Sequence, residues 1–134
     1  MTKVNVAYQG HLRTICTHEN SGQQFETDAP QDNNGKGERF SPTDLLATAY
    51  ASCMITVIGI FCDQHSLEFK NGTASVEKIM TDNPRRIKEL IIEMDLRDNN
   101  WSKKEQQKIS AIAKNCPVAK SVDPEIITSI TFKF

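Results

Sequence analysis

The sequence has almost no net charge and lacks the features of a nucleic-acid-binding or secreted protein. It carries 16 Lys or Arg residues against 17 Asp or Glu residues, for a formal net charge of −1. Without an excess of positive charge there is no field to attract a phosphate backbone, so nucleic-acid binding is not expected. The amino terminus does not resemble a secretory leader, so we expect a cytoplasmic protein whose four cysteines are kept reduced.

Several motifs that mark common enzyme classes are also missing. There is no glycine-rich phosphate loop and no Ser-His-Asp arrangement. His11, His18 and His65 have neither the mutual spacing nor the cysteine neighbours of a metal site. We therefore expect no metal ion and no cofactor. A chain of 134 residues with 38% hydrophobic content fits one domain spanning residues 1–134.

The longest uncharged run of the chain occupies residues 45–62. Just before it, Ser41 can act as an N-cap, Pro42 fits the first helical position, and Asp44 lies three residues after the cap. The run has no polar face, which predicts a helix that is buried on all sides. Its flanking charges are acidic rather than basic, so we expect a core helix and no membrane span.

The length of this helix suggests that one chain does not cover it. At about 1.5 Å per residue, a helix over residues 41–62 would be about 33 Å long, close to the diameter of a small domain. A second copy of the chain is the expected cover. The sequence therefore predicts a homodimer.

Alternating polar and apolar residues predict strands on both sides of the helix. The predicted order is βββαββααβ, an α+β fold with antiparallel sheets packed around the long buried helix. Strands are predicted at residues 4–8, 12–17 and 23–27, within 67–81, and at 88–97 and 126–134, with a loop at 29–38 and further helices starting at Ser102 and Cys116.

Two of the four cysteines are candidates for redox chemistry. Cys53 lies near the middle of the predicted helix, among apolar residues that disfavour a thiolate unless a cation approaches. Cys116 precedes Pro117 at a predicted helix start, where free backbone N–H groups favour a thiolate. One attacking thiolate and one resolving thiol are the minimum for peroxide reduction. Cys16 and Cys62 are expected to be structural.

Two motifs resemble the OsmC/Ohr family, the osmotically inducible protein C and organic hydroperoxide resistance proteins. One is Ser-Pro-Thr-Asp-Leu-Leu-Ala at residues 41–47, leading to Cys53, and the other is Cys-Pro-Val-Ala-Lys-Ser at residues 116–121. The resemblance covers nearly the whole chain. It implies a thiol peroxidase that reduces organic hydroperoxides, with Cys53 peroxidatic and Cys116 resolving. It also implies an external dithiol reductant and an intertwined homodimer with active sites at the interface.

The resemblance further implies an arginine and an acid that support the first cysteine. Arg13 is the closest match for the arginine, and Arg39 is a second candidate. Family members with strong peroxidase activity carry Glu ten residues before the first cysteine, where this chain has Thr43, and Asp44 lies one position later. The departure at Thr43 supports an alternative function, a non-catalytic protein that binds an apolar small molecule at the dimer interface.

Local electrostatics and the resemblance disagree on which cysteine reacts first. A helix terminus contributes only about 0.3 to 1 kcal/mol in favour of a Cys116 thiolate, less than the roughly 1.4 kcal/mol of one pKa unit. A desolvated arginine can shift a partner by more. We therefore expect Cys53 to react first.

Overall fold

The first alternating segments of the chain form a three-stranded antiparallel sheet. In the computed structural model, which describes every residue from Met1 to Phe134, its strands are β1 (Val4–Gly10), β2 (Arg13–His18) and β3 (Gln24–Asp28). Their order in the sheet is β1-β2-β3. The three predicted strands are confirmed, and β3 extends one residue beyond its predicted end. The sheet belongs to the first of two units of the chain, Met1–Leu46.

The loop after β3 is folded back on its own start. The backbone N–H of Gly37 donates to the carbonyl of Ala29 at 3.2 Å, and the N–H of Gly35 donates to that of Pro30 at 2.9 Å. A Cβ atom at Gly35 would lie 1.7 Å from the Ala29 carbonyl oxygen, so only glycine fits there. This packing fixes the position of Glu38, at the end of the loop, and of the residues that lead into the central helix.

The central helix, α1 (Pro42–Gln64), starts where the sequence predicts. The N–H of Asp44 donates to the Ser41 hydroxyl at 3.1 Å, and the N–H of Ser41 donates to the Asp44 carboxylate at 2.9 Å. These two bonds form a capping box, which satisfies two backbone donors that a helix start leaves unpaired. The predicted helix start is therefore confirmed.

The prediction that α1 is buried on all sides is wrong for a single chain. One face is buried, and Ala49, Ser52, Thr56 and Ile60 on the rest of the helix are exposed. The helix is apolar nearly all round, but one chain supplies packing partners for only one face. The buried residues are Ala47, Tyr50, Ala51, Met54, Ile58 and Cys62.

By length and composition alone, α1 is also long and apolar enough to cross a membrane, and 33% of its most apolar stretch is buried. A core helix and a membrane span pass this test equally well. The exclusion of a membrane span therefore stays a prediction that rests on the acidic flanks of the helix.

The second unit, Ala47–Phe134, contains the rest of α1 and a second three-stranded sheet. The strands are β4 (Thr73–Thr81), β5 (Arg86–Asp95) and β6 (Ile127–Lys133), in the order β4-β5-β6. The helix α2 (Lys103–Lys114) begins with the predicted capping box of Ser102 and Glu105. The largest side chains with less than 2% exposure in this unit are Met54, Ile58, Leu90, Ile92, Met94, Leu96 and Ile109.

The structure corrects two details of the predicted topology. First, β6 pairs with β5 in parallel, whereas antiparallel pairing was predicted. Parallel pairing needs a long crossover, and α2 with the segment that follows it provides one. Second, residues 117–120 form turns and not the predicted helix from Cys116 to Lys120. The fold class, α+β with two sheets and two α-helices, is confirmed.

Candidate functional site

The structure brings Cys53 and Cys116 into contact within the second unit. The Cys53 side chain lies near enough to raise the pKa of the Cys116 thiol, although 63 positions separate the two residues in the sequence. Cys53 is half-buried on α1, whereas Cys116, at the end of the α2 segment, is only 1% exposed. All four cysteines of the chain are free thiols. The two cysteines selected from the sequence therefore form a pair of neighbouring thiols that differ in their access to solvent.

The predicted stabilisation of a Cys116 thiolate by a helix terminus is wrong. Burial is the main influence on Cys116 and raises the pKa of its thiol, and the neighbouring Cys53 raises it further. The N–H of Ala119 donates to the Cys116 sulfur at 3.5 Å, and this bond acts in the opposite direction but is weaker than burial. Burial therefore makes the Cys116 thiol harder to ionise than a free thiol, because its pKa is raised.

The other two cysteines lie apart from this pair. Cys62 is fully buried, on the opposite side of α1 from Cys53, and burial raises the pKa of its thiol. Cys16 is half-buried in the first sheet, where its sulfur lies 3.9 Å from the hydroxyl of Thr14. Neither has a second thiol as a hydrogen-bond partner, which fits the structural roles that the sequence suggests.

In the first unit, Arg13 is held by two carboxylates. Its Nε donates to Asp28 Oδ1 at 2.6 Å, and its Nη2 donates to Asp28 Oδ2 at 2.9 Å and to Glu38 Oε2 at 3.0 Å. These bonds raise the pKa of Arg13, and the Arg13 guanidinium lowers the pKa of Asp28. The bidentate pair fixes the plane of the guanidinium and leaves the two N–H groups of Nη1 for another acceptor.

The sequence analysis did not identify Asp28 or Glu38. Asp28 lies directly opposite Arg13 in the pairing of β3 with β2, and it is 1% exposed. The backbone N–H of Glu38 also donates to Asp28, at 3.1 Å, which ties the end of the loop to this carboxylate. The predicted third strand stopped at residue 27. Extending its alternation by one residue would have placed Asp28 beside Arg13.

The remaining candidate residues are engaged in local contacts. Arg39 donates from Nε to Glu26 at 3.1 Å in an exposed ion pair. The hydroxyl of Thr43 lies 3.2 Å from that of Ser41, and Asp44 belongs to the capping box. Thr43 and Asp44 therefore contribute to the start of α1, whereas the acids that pair with Arg13 are Asp28 and Glu38.

A cavity of about 480 Å³ lies next to the thiol pair in the second unit. The hydroxyl of Tyr50 hydrogen-bonds to Thr128 there, and burial raises the pKa of Tyr50 in spite of this bond. The charge on Cys116 also acts on Tyr50, so the phenol and the thiol are neighbours. The residues lining the cavity are Tyr50, Lys114, Asn115, Ala119, Lys120, Val122, Asp123, Pro124, Ile126 and Thr128.

Comparison with known proteins identifies the family. The model of the OsmC-like protein family matches residues 35–131. A candidate osmotic stress induced and detoxification response protein from Psychrobacter arcticus is 44% identical, with a TM-score of 0.93, and the match covers 99% of this chain and 96% of that one. None of the curated proteins matches the chain.

More distant solved structures share the fold. The organic hydroperoxide resistance protein OhrB of Bacillus subtilis is 17% identical, with a TM-score of 0.68 and coverage of 99% of this chain and 98% of that one. A candidate organic hydroperoxide resistance protein from Vibrio cholerae, with captopril bound in one of its active sites, is 18% identical, with a TM-score of 0.73 and coverage of 98% and 90%. From the family model and the 44% identical relative, we conclude that the chain belongs to the OsmC family.

Proposed function

We propose that this protein is a thiol peroxidase that reduces organic hydroperoxides with Cys53 and Cys116. The pair of neighbouring thiols, one half-buried and one buried, carries the proposal. Such a pair supplies both parts of a two-cysteine peroxide reduction, because a sulfenic acid formed on one sulfur lies beside a thiol that can condense with it. The organic hydroperoxide resistance proteins of Bacillus subtilis and Vibrio cholerae share the fold, which supports this assignment.

The reaction follows from the different environments of the two thiols. The Cys53 thiolate attacks one oxygen of the hydroperoxide, the O–O bond breaks, and the alcohol leaves after taking up a proton. The resulting Cys53 sulfenic acid condenses with the Cys116 thiol, forming a disulfide and releasing water. Burial raises the pKa of Cys116, and its position beside Cys53 brings its sulfur to the place where the disulfide forms.

Arg13 is the cation that we assign to the Cys53 thiolate. Asp28 and Glu38 balance its charge, so its contribution comes from directed N–H donors rather than from net positive charge. Arg39, which is exposed and paired with Glu26, is the second choice.

The assembly that we propose is a cytoplasmic homodimer that an external dithiol reduces again after each turnover. The exposed apolar face of α1 supports a dimer, because a second chain would remove that face from water. A reducing compartment supports the dithiol step, because the disulfide formed in each cycle has to be opened again.

Counting thiols during peroxide treatment tests the proposal. Purified, fully reduced protein is titrated with cumene hydroperoxide, and free thiols are measured after each addition. We expect two of the four thiols per chain to disappear for each equivalent of peroxide, with Cys53 and Cys116 found in one disulfide. Replacing Cys62 by Ala is the matched control, and it should leave this loss of two thiols unchanged.

The second candidate function is binding of an apolar small molecule without chemistry. Thr43 favours it, because the side chain there is hydrogen-bonded to Ser41 at a helix start and supplies no carboxylate. In that case the same titration would leave all four thiols free, while an apolar probe such as 8-anilinonaphthalene-1-sulfonate would bind to the protein. Loss of two thiols excludes this function as the only one.

A further inference from the structure

We propose that a positively charged face of α2 binds the protein that carries the reducing dithiol, and that the surface around this dithiol is acidic. The face consists of Lys103, Lys104, Lys108 and Lys114, and we call it the lysine face. The proposal rests on the Cys53–Cys116 pair of the proposed function. It adds the charge of the reductant and the place where the reductant binds.

The exposed residues of α2 all lie on one side of the helix. At about 100° per residue they occupy an arc of about 140°, and the buried Ile109 and Ala113 lie outside this arc. The exposed residues are Lys103, Lys104, Gln107, Lys108, Ala111 and Lys114. This side of α2 therefore presents four positive charges, no acid and no large apolar side chain to solvent.

The positive charge of the chain is concentrated around this helix. Residues 103–120 contain five lysines and one acid, Glu105, whereas the other 116 residues contain 11 basic and 16 acidic residues. The Glu105 carboxylate accepts the backbone N–H of Ser102 at 2.7 Å and caps the helix start. A net charge of −1 for the whole chain is therefore compatible with a strongly positive surface at α2.

The stability of α2 does not account for these lysines. Lys103 and Lys104 lie in the first turn, where the partial positive charge of the helix dipole repels a cation. Lys104 and Lys108 are four residues apart, a spacing at which like charges repel each other. None of the four lysines forms an ion pair, although Lys114 lies over the ring of Phe132. Most of these charges are unfavourable for the helix itself, which points to a role in binding.

The lysine face ends beside the cysteine pair. Lys114 is the last residue of α2, and it lines the cavity of about 480 Å³ together with Lys120 and Ala119. The N–H of Ala119 donates to the Cys116 sulfur at 3.5 Å. Asp123 is the one acid in the cavity lining, so two cations and one anion surround the cavity. An acidic partner bound along α2 therefore has its attachment point next to the pair that it has to reduce.

A second copy of the chain is not the expected occupant of this face. In a symmetric dimer that used it, the lysines of the two copies would face each other, and like charges across an interface repel. The apolar face of α1, which contains no lysine, is the surface that we assign to the dimer. The proposed reaction cycle requires a dithiol partner at the cysteine pair, whereas no step in it requires a nucleic acid or a membrane.

Reduction by the bound dithiol takes place in two exchanges. One thiolate of the partner attacks a sulfur of the Cys53–Cys116 disulfide, the S–S bond breaks, and the leaving sulfur takes up a proton. The second thiol of the partner loses its proton and attacks its own sulfur in the mixed disulfide, which releases the other cysteine as a thiol. The partner is oxidised to a disulfide, and two electrons reduce Cys53 and Cys116. The lysine face accelerates the encounter and not the exchange itself.

Two peptides with the same dithiol test the charge of the partner. Each contains the segment Cys-Gly-Pro-Cys, flanked on both sides by glutamates in one peptide and by glutamines in the other. The protein is oxidised with diamide, which forms the disulfide without any peroxide, and either peptide is added. The reaction is stopped with acid at intervals, free thiols are blocked with N-ethylmaleimide, and mass spectrometry measures the reduced fraction of Cys53 and Cys116.

The quantity to compare is the rate with the glutamate peptide divided by the rate with the glutamine peptide. For the wild-type protein, we expect this ratio to be about tenfold higher at about 0.01 M ionic strength than at about 0.5 M, because salt screens the attraction. The double variant Lys104→Gln, Lys108→Gln should lose most of this increase. The matched control is Lys36→Gln, Lys88→Gln, which removes two exposed charges elsewhere and should keep it.

Urea unfolding checks that the lysines serve binding and not the fold. The variant Lys104→Gln, Lys108→Gln should be at least as stable as wild type, because a repulsion within α2 is removed. A clear loss of stability in this variant would contradict the proposal.

The wild-type measurements can overturn the proposal without any variant. A ratio of rates that does not depend on salt would do so, as would a ratio that is the same in wild type and in Lys104→Gln, Lys108→Gln. If the ratio does not depend on salt while a DNA duplex binds wild type and not the double variant, the face binds nucleic acid instead. Failure of diamide to form the disulfide would also overturn the proposal. The proposed function fails separately, if diamide forms this disulfide while cumene hydroperoxide consumes no thiols.

Discussion

At the scale of single residues, Cys116 shows how burial outweighs the electrostatics of a turn. Burial and the neighbouring Cys53 raise the pKa of Cys116, and the N–H of Ala119 lowers it by less than burial raises it. The backbone N–H groups that the sequence predicts are present, but the desolvation of a charged sulfur is the larger influence. The raised pKa of Cys116 supports Cys53 as the nucleophile that we propose.

Trapping the first oxidation product tests this assignment. With Cys116→Ser, one equivalent of cumene hydroperoxide should produce a sulfenic acid on Cys53 that dimedone labels, because no resolving thiol is left. With Cys53→Ser, Cys116 should stay reduced under the same conditions, since it is buried and its pKa is raised. Mass spectrometry locates the label. A label on Cys116 would reverse the two roles.

The arginine that activates Cys53 is tested with two matched variants. Arg13→Ala should slow the reaction of Cys53 with cumene hydroperoxide by about one to two orders of magnitude, because directed N–H donors to the thiolate are lost. Arg39→Ala removes a charge from the same unit and should leave the rate unchanged. Rate constants come from stopped-flow measurements. The opposite ranking of the two variants would assign the role to Arg39.

The ion pair of Arg13 with Asp28 predicts a loss of stability in acid. Arg13 lowers the pKa of Asp28 in the folded chain, so the unfolded chain binds this proton more tightly. The ionised carboxylate therefore stabilises the fold above its ordinary pKa of about 3.9, and this contribution is lost as the pH falls through the lower folded value. We expect Asp28→Asn to be less stable than wild type at pH 7.

Urea unfolding at pH 7 and at pH 3 measures this effect. The difference between Asp28→Asn and wild type should shrink at pH 3, because Asp28 then binds a proton in the unfolded wild-type chain, which favours unfolding. Asp95→Asn is the comparison in the second unit, where Arg97 lowers the pKa of Asp95 to about 2. A difference between Asp28→Asn and wild type that does not change with pH would contradict this use of the ion pair.

At the scale of elements, α1 takes its start from local sequence and its orientation from packing. The capping box of Ser41 and Asp44 forms as the sequence predicts, because its partners are three residues apart. Which face of the helix is buried could not be read from a run that is apolar nearly all round. The buried face carries Met54 and Ile58, which are part of the core together with buried residues of β5 and α2.

The two capping boxes of the chain predict equal effects on stability. Ser41→Ala should lower the free energy of unfolding by about 1 kcal/mol, and Ser102→Ala, at the start of α2, should do the same. Asp44→Ala should also destabilise the fold but leave the peroxide rate constant unchanged, because the Asp44 carboxylate caps the start of α1. Urea unfolding and stopped-flow kinetics check both. A large loss of rate in Asp44→Ala would restore a catalytic role for this acid.

At the scale of the whole molecule, the chain leaves apolar surface uncovered in both of its units. In the first unit, Val4, Val6 and Tyr8 on β1 are 61%, 64% and 67% exposed, and in the second unit Ile60 on α1 is 50% exposed. Alternate residues of β1 lie on one face of the sheet, so the three β1 side chains form one patch. Patches of this kind on both units are the reason to expect a second chain.

Sedimentation equilibrium tests the dimer directly. We expect a mass of twice the 15.1 kDa of one chain at micromolar concentration. Ile60→Glu should weaken the dimer because it places a charge in the expected interface, whereas Lys104→Glu, on the exposed side of α2, should not. A wild-type protein that sediments as a single chain would contradict the prediction.

The sequence by itself determined the features that depend on neighbours along the chain. These are the strands of the first sheet, both capping boxes, the α+β class and the two motifs that lead to the family, since each depends on spacings of a few residues. It also selected Cys53 and Cys116. It did not fix their protonation, because that depends on how deeply each sulfur is buried.

Only the tertiary structure decided which distant residues meet. Cys53 and Cys116 are neighbours although they are far apart in the chain. The same holds for the residues that line the cavity with Tyr50 and for the parallel pairing of β6 with β5. The partners of Arg13 were also settled there, since the register of β3 on β2 and the folded loop place Asp28 and Glu38 on its guanidinium. Register and burial are properties of the packed chain, and they set the geometry and charge of the candidate site.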